Sequence, residues 1–194
     1  MQSTSIQFFE NLMSPTKEIR ENAEKDLEKL KTLPVLESLK VFEEGMSSQK
    51  ESTFQLATLM LKKVYLDNKE KKDSLTQEEK NALLQILKSK IDFTKNWKSL
   101  QRIADALAPT YQITSLPNGL SEIMNWFNNQ NDPKSRKFAI YIIEVLCDLS
   151  AIKEEVLDSN AIENFKIIFT KGLDDNDIDV KVSSLNSQRK ELVF

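Results

Sequence analysis

Apolar residues return at steps of three and four along nearly the whole chain, the spacing of one face of an α-helix. Ile6, Phe9 and Met13 share such a face, and Ile19, Ala23, Leu27 and Leu30 make another after a short break. The same two-part pattern recurs in Val35, Leu39, Phe42 and Met46, followed by Phe54, Ala57, Leu61 and Val64. Leu83, Leu87 and Ile91 precede Trp97, Leu100, Ala104 and Leu107; Leu120, Ile123, Met124 and Phe127 precede Phe138, Ile142, Val145 and Leu149. A last couplet starts with Ile162, Phe165, Ile168 and Phe169. Each second helix carries a small residue near its middle, at Ala23, Ala57, Ala104, Ala139 and Ser184, roughly 34 to 47 residues apart. A small side chain there lets the paired helix approach closely.

Turn and cap residues punctuate these faces. Ser14-Pro15 reads as a helix start, because Ser caps open amides and Pro lacks only an amide that would be unpaired anyway. Leu33-Pro34, Leu116-Pro117 and Asp132-Pro133 repeat the signal, while Thr76 with Glu79 forms a capping box. Gly45 with Ser47-Ser48 is expected to turn the chain, Asn128 to Asn131 to do the same, Gly172 to stop a helix, and the Trp97 helix to end near Pro109. Asp67 to Ser74 reads as a solvated loop between units, with a binding tail as the alternative. The expected fold is all-α, a right-handed α-α superhelix (solenoid) of about five HEAT-type repeats near 5–32, 33–67, 75–112, 116–150 and 153–194. Isolated couplets would leave apolar faces bare, so stacking on neighbours is needed to bury them. Ile178, Val182, Leu185, Leu192, Val193 and Phe194 place apolar residues where a further repeat would cover them, so the chain reads as an N-terminal segment of a longer solenoid, with a short native terminus as the alternative.

Composition sharpens this picture by exclusion. Three glycines and five prolines in 194 residues are too few turn signals for a sheet-rich fold. A net charge of -3, with 27 basic and 30 acidic residues intermixed, argues against nucleic-acid binding and suits a basic partner surface better. The single Cys147 excludes an internal disulfide framework and fits a reducing compartment. No apolar run reaches the roughly 18 residues of a membrane span, and the N-terminus lacks signal-peptide order.

Catalytic and metal chemistry find little support. Histidine is absent, which removes the commonest general base and metal ligand. Cys147, on an apolar helix, reads as a buried inert thiol rather than a nucleophile. Asp174 to Asp179 glances at a calcium loop but has Val180 in place of the turn glycine, so acidity at a helix start is the better reading. No cofactor is expected.

The order of the units resembles the N-terminal HEAT repeats of the importin-β (karyopherin-β) superfamily, most closely the importin-β3 branch. Phe8 to Pro15 followed by Ile19 to Glu24 is similar to that branch's opening pattern. Leu56 to Lys63 resembles its second-repeat helix, Leu116 to Leu120 its "WPEGL" segment, and Ser135 to Ala139 its "LREAAL" segment. The likeness spans Ile6 to Leu185. One departure is the position three before the small residue, which reads Arg20, Phe54, Gln101, Arg136 and Lys181, so an arginine often seen there is lost at Phe54.

The resemblance implies a nuclear transport receptor, not an enzyme, shuttling between cytoplasm and nucleus through the pore. It implies binding of the GTP form of the GTPase Ran on a concave face lined by second helices. Cargo proteins with basic localisation signals would bind mainly through repeats absent here, and Phe-Gly nucleoporins on the convex side, with no direct nucleic-acid contact and no membrane insertion. Arg20, Gln55, Leu59, Lys62 and Lys63 are the implied Ran contacts; Lys62 and Lys63 alternatively just solvate a helix end and favour its dipole. Two other classes stay open. A HEAT-repeat scaffold of the phosphatase-subunit type would share the repeats without Ran binding, and a HEAT-like DNA glycosylase would need a basic groove with aromatics and a catalytic carboxylate.

Overall fold

The structure, a computed structural model, describes residues 4–149 and 159–191. These form eleven α-helices and no strand: α1 (Thr4–Leu12), α2 (Lys17–Leu30), α3 (Val35–Gly45), α4 (Glu51–Tyr65), α5 (Lys69–Ser74), α6 (Gln77–Ser89), α7 (Trp97–Ile113), α8 (Leu116–Phe127), α9 (Pro133–Asp148), α10 (Ser159–Leu173) and α11 (Ile178–Glu191). The chain is all-α. Leu192, Val193 and Phe194 lie outside the described residues, as does the side chain of Ile162.

Local chemistry sets several of the boundaries. The Thr76 hydroxyl accepts from the Glu79 amide while the Glu79 carboxylate accepts from the Thr76 amide, closing the capping box that starts α6. Asp132 accepts from the Lys134 amide and Pro133 occupies the first turn of α9, as Pro117 does in α8. Asp177 accepts from the amides of Asp179 and Val180 at the start of α11, so part of the 174–179 acidity does cap a helix.

Four expectations need correction. The polar stretch after α4 is not all loop: Asn68 accepts from the Lys71 amide and starts α5. The helix containing Pro109 does not end there, because α7 continues to Ile113 with the proline inside it. Pro109 has no amide to donate to the carbonyl four residues earlier, a local weakness that a helix survives when its flanks are packed, and Ala106, Leu107, Ala108 and Tyr111 are buried. Ser14 does not cap α2; Thr16 holds that position, and the Ser14 hydroxyl accepts from the Thr16 amide just outside. Ile19 is 43% exposed rather than facing inward, and Met13 and Leu149 are also exposed. Gly45 ends α3 and its carbonyl accepts from the Ser48 amide in the turn that follows, and Gly172 stands one residue before the end of α10, as expected.

The fold divides into two compact units, Met1–Ile91 with Trp97–Ala106, and Asp92–Asn96 with Leu107–Phe194. In the first, α1 packs on α2 and α3 on α4, while α1 also meets α3 and α3 meets α6. In the second, α8 packs on α9 and α10 on α11, with α10 also on α8 and α11 on α9. First helices thus meet first helices inside each unit. Phe9, Phe42 and Tyr65 line up through the first core at ring separations of 5.8 and 6.2 Å. Phe138 centres the second, 5.6 Å from Phe93 and 5.3 Å from Trp126.

All five small residues are buried, Ala57, Ala104, Ala139 and Ser184 completely. In two couplets the reason is a glycine on the partner helix. A methyl placed on Gly45 would lie 2.9 Å from Cβ of Ala57 and collide with the Phe9 ring; one placed on Gly172 would collide with Ser184. These glycines are there for helix contact.

Candidate partner-binding site

The second helix of the second couplet, α4, separates its faces cleanly. Thr53, Phe54, Ala57, Thr58, Leu61, Val64 and Tyr65 are buried. Gln55, Leu59 and Lys62 follow at steps of four and three on the other side, with Lys63 beside them, so four of the five candidate contacts form one stripe. Gln55, Leu59 and Lys62 are half-buried and Lys63 is exposed. Arg20 stands apart on α2.

The polar groups of this set are unequally available. The Gln55 amide donates to the Ser99 hydroxyl at 3.0 Å, tying α4 to the first part of α7. Lys62 donates to Asp67 at 2.6 Å, an ion pair that closes the C-terminal end of α4 on itself. Lys63 makes no ion pair or hydrogen bond among the described residues. The two adjacent lysines therefore differ: one is engaged within the chain, the other is open.

Arg20 is occupied as well. Its guanidinium donates to the Ser14 carbonyl at 3.0 Å, six residues back, in the turn between α1 and α2. Arg136, at the same offset from Ala139 as Arg20 from Ala23, donates to the carbonyls of Asn129 and Gln130, both at 3.0 Å, in the turn between α8 and α9. The arginine three before the small residue straps the preceding turn in both couplets. At Phe54 the strap is replaced by a buried ring, 1% exposed. Arg136 has a further partner, Asp175, and the pair draws the aspartate below the usual carboxylate range while raising the guanidinium.

A cavity of about 180 Å³ opens beside Lys63, lined also by Lys31, Met60, Val64, Asn68 and Lys71. The pattern of apolar positions did not signal Lys31 and Lys71. Their convergence depends on α5, a helix within the stretch expected to be a loop. The Lys71 ammonium donates to the Lys31 carbonyl at the C-terminal end of α2, 3.2 Å away.

Among the described residues no cluster of acidic or cysteine side chains is arranged to hold a metal ion. Cys147 is half-buried rather than enclosed. No described helix is long and apolar enough to cross a membrane. No protein family and no curated protein sequence matches the chain.

Proposed function

We propose that this chain is the N-terminal HEAT-repeat segment of a nuclear transport receptor, and that it binds Ran-GTP through the stripe of α4 opposite its buried face. The observation that carries the reading is the ordered resemblance of four segments between Ile6 and Leu185 to the importin-β superfamily. Two structural facts support it. Gln55, Leu59, Lys62 and Lys63 fall on one side of α4, opposite its buried face. Four couplets also pair, α1 with α2, α3 with α4, α8 with α9 and α10 with α11, and each second member buries a small residue, as HEAT-type repeats would.

In this reading the segment is a binding module without chemistry of its own. Ran-GTP on these repeats and cargo on later ones favour different curvatures of the full-length receptor, so binding one weakens the other by the same factor in both directions. Release of cargo follows on the side of the pore where Ran carries GTP, and contacts to Phe-Gly nucleoporins carry the receptor between cytoplasm and nucleus. Titration calorimetry with Ran loaded with GTP or GDP tests the proposal: the GTP form is expected to bind at least tenfold more tightly. Equal or absent binding by a well-folded sample removes it for this segment and leaves the scaffold of the phosphatase-subunit type.

A further inference from the structure

We propose that the cavity between α2, α4 and α5 is a docking pocket for an acidic side chain, carried next to an apolar residue on a protein partner. Three lysines from three separate elements meet there in a chain whose net charge is -3: Lys31 at the end of α2, Lys63 in the last turn of α4, and Lys71 on α5. Their charges are not equally balanced. Lys31 pairs with Glu28, whereas Lys63 and Lys71 have no carboxylate partner among the described residues. Gathering like charges is unfavourable unless an anion offsets them, and two uncompensated ammonium groups on one cavity define what it lacks.

Size and wall chemistry narrow the occupant. The cavity's 180 Å³ falls below the roughly 300 Å³ at which pockets for drug-sized ligands begin. It fits one side chain. The apolar part of the lining is Met60 and Val64, which offer a free inorganic anion nothing and offer a methylene stem or a neighbouring leucine a flexible apolar surface. An aspartate or glutamate beside an apolar residue satisfies both walls at once.

The inference does not rest on the GTPase reading. It needs no GTPase for its test, so either can fail alone.

The test uses the whole chain and a fluorescein-labelled peptide alternating glutamate and leucine, with a glutamine-for-glutamate version as control. Anisotropy titration is expected to show at least tenfold tighter binding of the glutamate peptide, weakening as salt is raised. Lys63→Gln with Lys71→Gln is expected to lower that affinity at least tenfold, and Lys40→Gln with Lys98→Gln, neither of which lines the cavity, to leave it within twofold. Because Lys71 also bonds the Lys31 carbonyl, Lys63→Gln alone provides a variant that removes a charge without removing an internal bond, and a loss of threefold or more is expected from it. The methyl of Met60, followed by carbon-proton NMR, should shift on adding the glutamate peptide. Equal binding of the two peptides, an unmoved Met60 methyl, or full displacement of the peptide by low-millimolar inorganic phosphate would each overturn the proposal, the last by showing a general anion site.

Discussion

Arg136 and Asp175 form a two-pronged ion pair across 39 residues of sequence, with nitrogen-oxygen distances of 2.6 and 2.9 Å and both side chains under 10% exposed. The same guanidinium also holds two carbonyls of the α8–α9 turn, and the same carboxylate accepts from the Asp177 amide. One pair therefore joins the turn before α9 to the turn before α11. Removing a partner from a buried pair strands the other's charge.

Asp175→Ala is accordingly expected to destabilise the second unit by about 3 kcal/mol. The pair also sets a pH dependence. Asp175 has a lower pKa folded than unfolded, so its stabilisation is present above the ordinary aspartate range near 3.9 and is lost as pH falls through the depressed folded value. Urea melts of the wild type and Asp175→Asn at neutral pH and at successively more acidic pH would check this: the gap between them should be largest at neutral pH and shrink in acid.

The two contact glycines should respond differently to an added methyl. At Gly45 it meets the Phe9 ring and the Ala57 methyl, both packed, and Gly45→Ala is expected to cost about 1–3 kcal/mol. At Gly172 it meets chiefly the Ser184 hydroxyl, which has no hydrogen-bond partner and can rotate away without losing one. The helix preference of alanine, about 1 kcal/mol, then offsets most of the strain, and Gly172→Ala should melt within a few degrees of wild type. Comparable losses in thermal melts of both variants would contradict this account.

Tyr111 is 1% exposed and donates to the Glu122 carboxylate at 2.7 Å, with its ring against Gly119. Burial first, then the bond to Glu122, pushes the phenol well above its ordinary range, so it stays a donor throughout the accessible pH range. Tyr111→Phe keeps the ring and deletes the bond, and a loss of about 1.5 kcal/mol is expected, typical of a bond to a charged group. Denaturant titration measures it, and an unchanged midpoint would show that the bond adds nothing net.

The inequality of the lysine pair gives a prediction for the proposed binding of Ran. Lys63→Glu should weaken it more than Lys62→Glu, because Lys62 is already neutralised by Asp67 and Lys63 is open. Lys62→Glu should instead lower the melting temperature slightly, since it places two carboxylates together at the end of α4. Calorimetry and thermal melts on the two single variants separate these effects, and greater loss of affinity in Lys62→Glu would reverse the assignment.

Exposed apolar residues mark α11 as the weak element of the second unit. Ile178, Val182 and Leu185 are 69, 48 and 45% exposed, while Val180 and Ser184 hold the helix to α9 and α10. Hydrogen exchange should be faster for amides 182–190 than for those of Phe138 to Leu146, whose helix is buried along most of its length. Equal protection in a dilute sample would mean that α11 unfolds only with the whole unit.

Features that depend on near neighbours were legible in the order of residues. Apolar spacing located the helices, because one face of each has to leave water, and Thr76 with Glu79 or Asp132 with Pro133 fixed starts through bonds spanning two or three residues. It also placed Gln55, Leu59, Lys62 and Lys63 on one stripe of α4, since helical geometry alone requires it. Tertiary structure decided what depends on distant partners. Packing on both sides of Pro109 carried α7 past a residue that locally argues for an end. Gly45 and Gly172 read as turn and stop residues, and only packing showed that they also let Phe9, Ala57 and Ser184 come close. Neither the spacing of charges nor their sum could show that Lys62 is engaged while Lys63 faces a cavity with Lys31 and Lys71, because that cavity exists only where α2, α4 and α5 fold together.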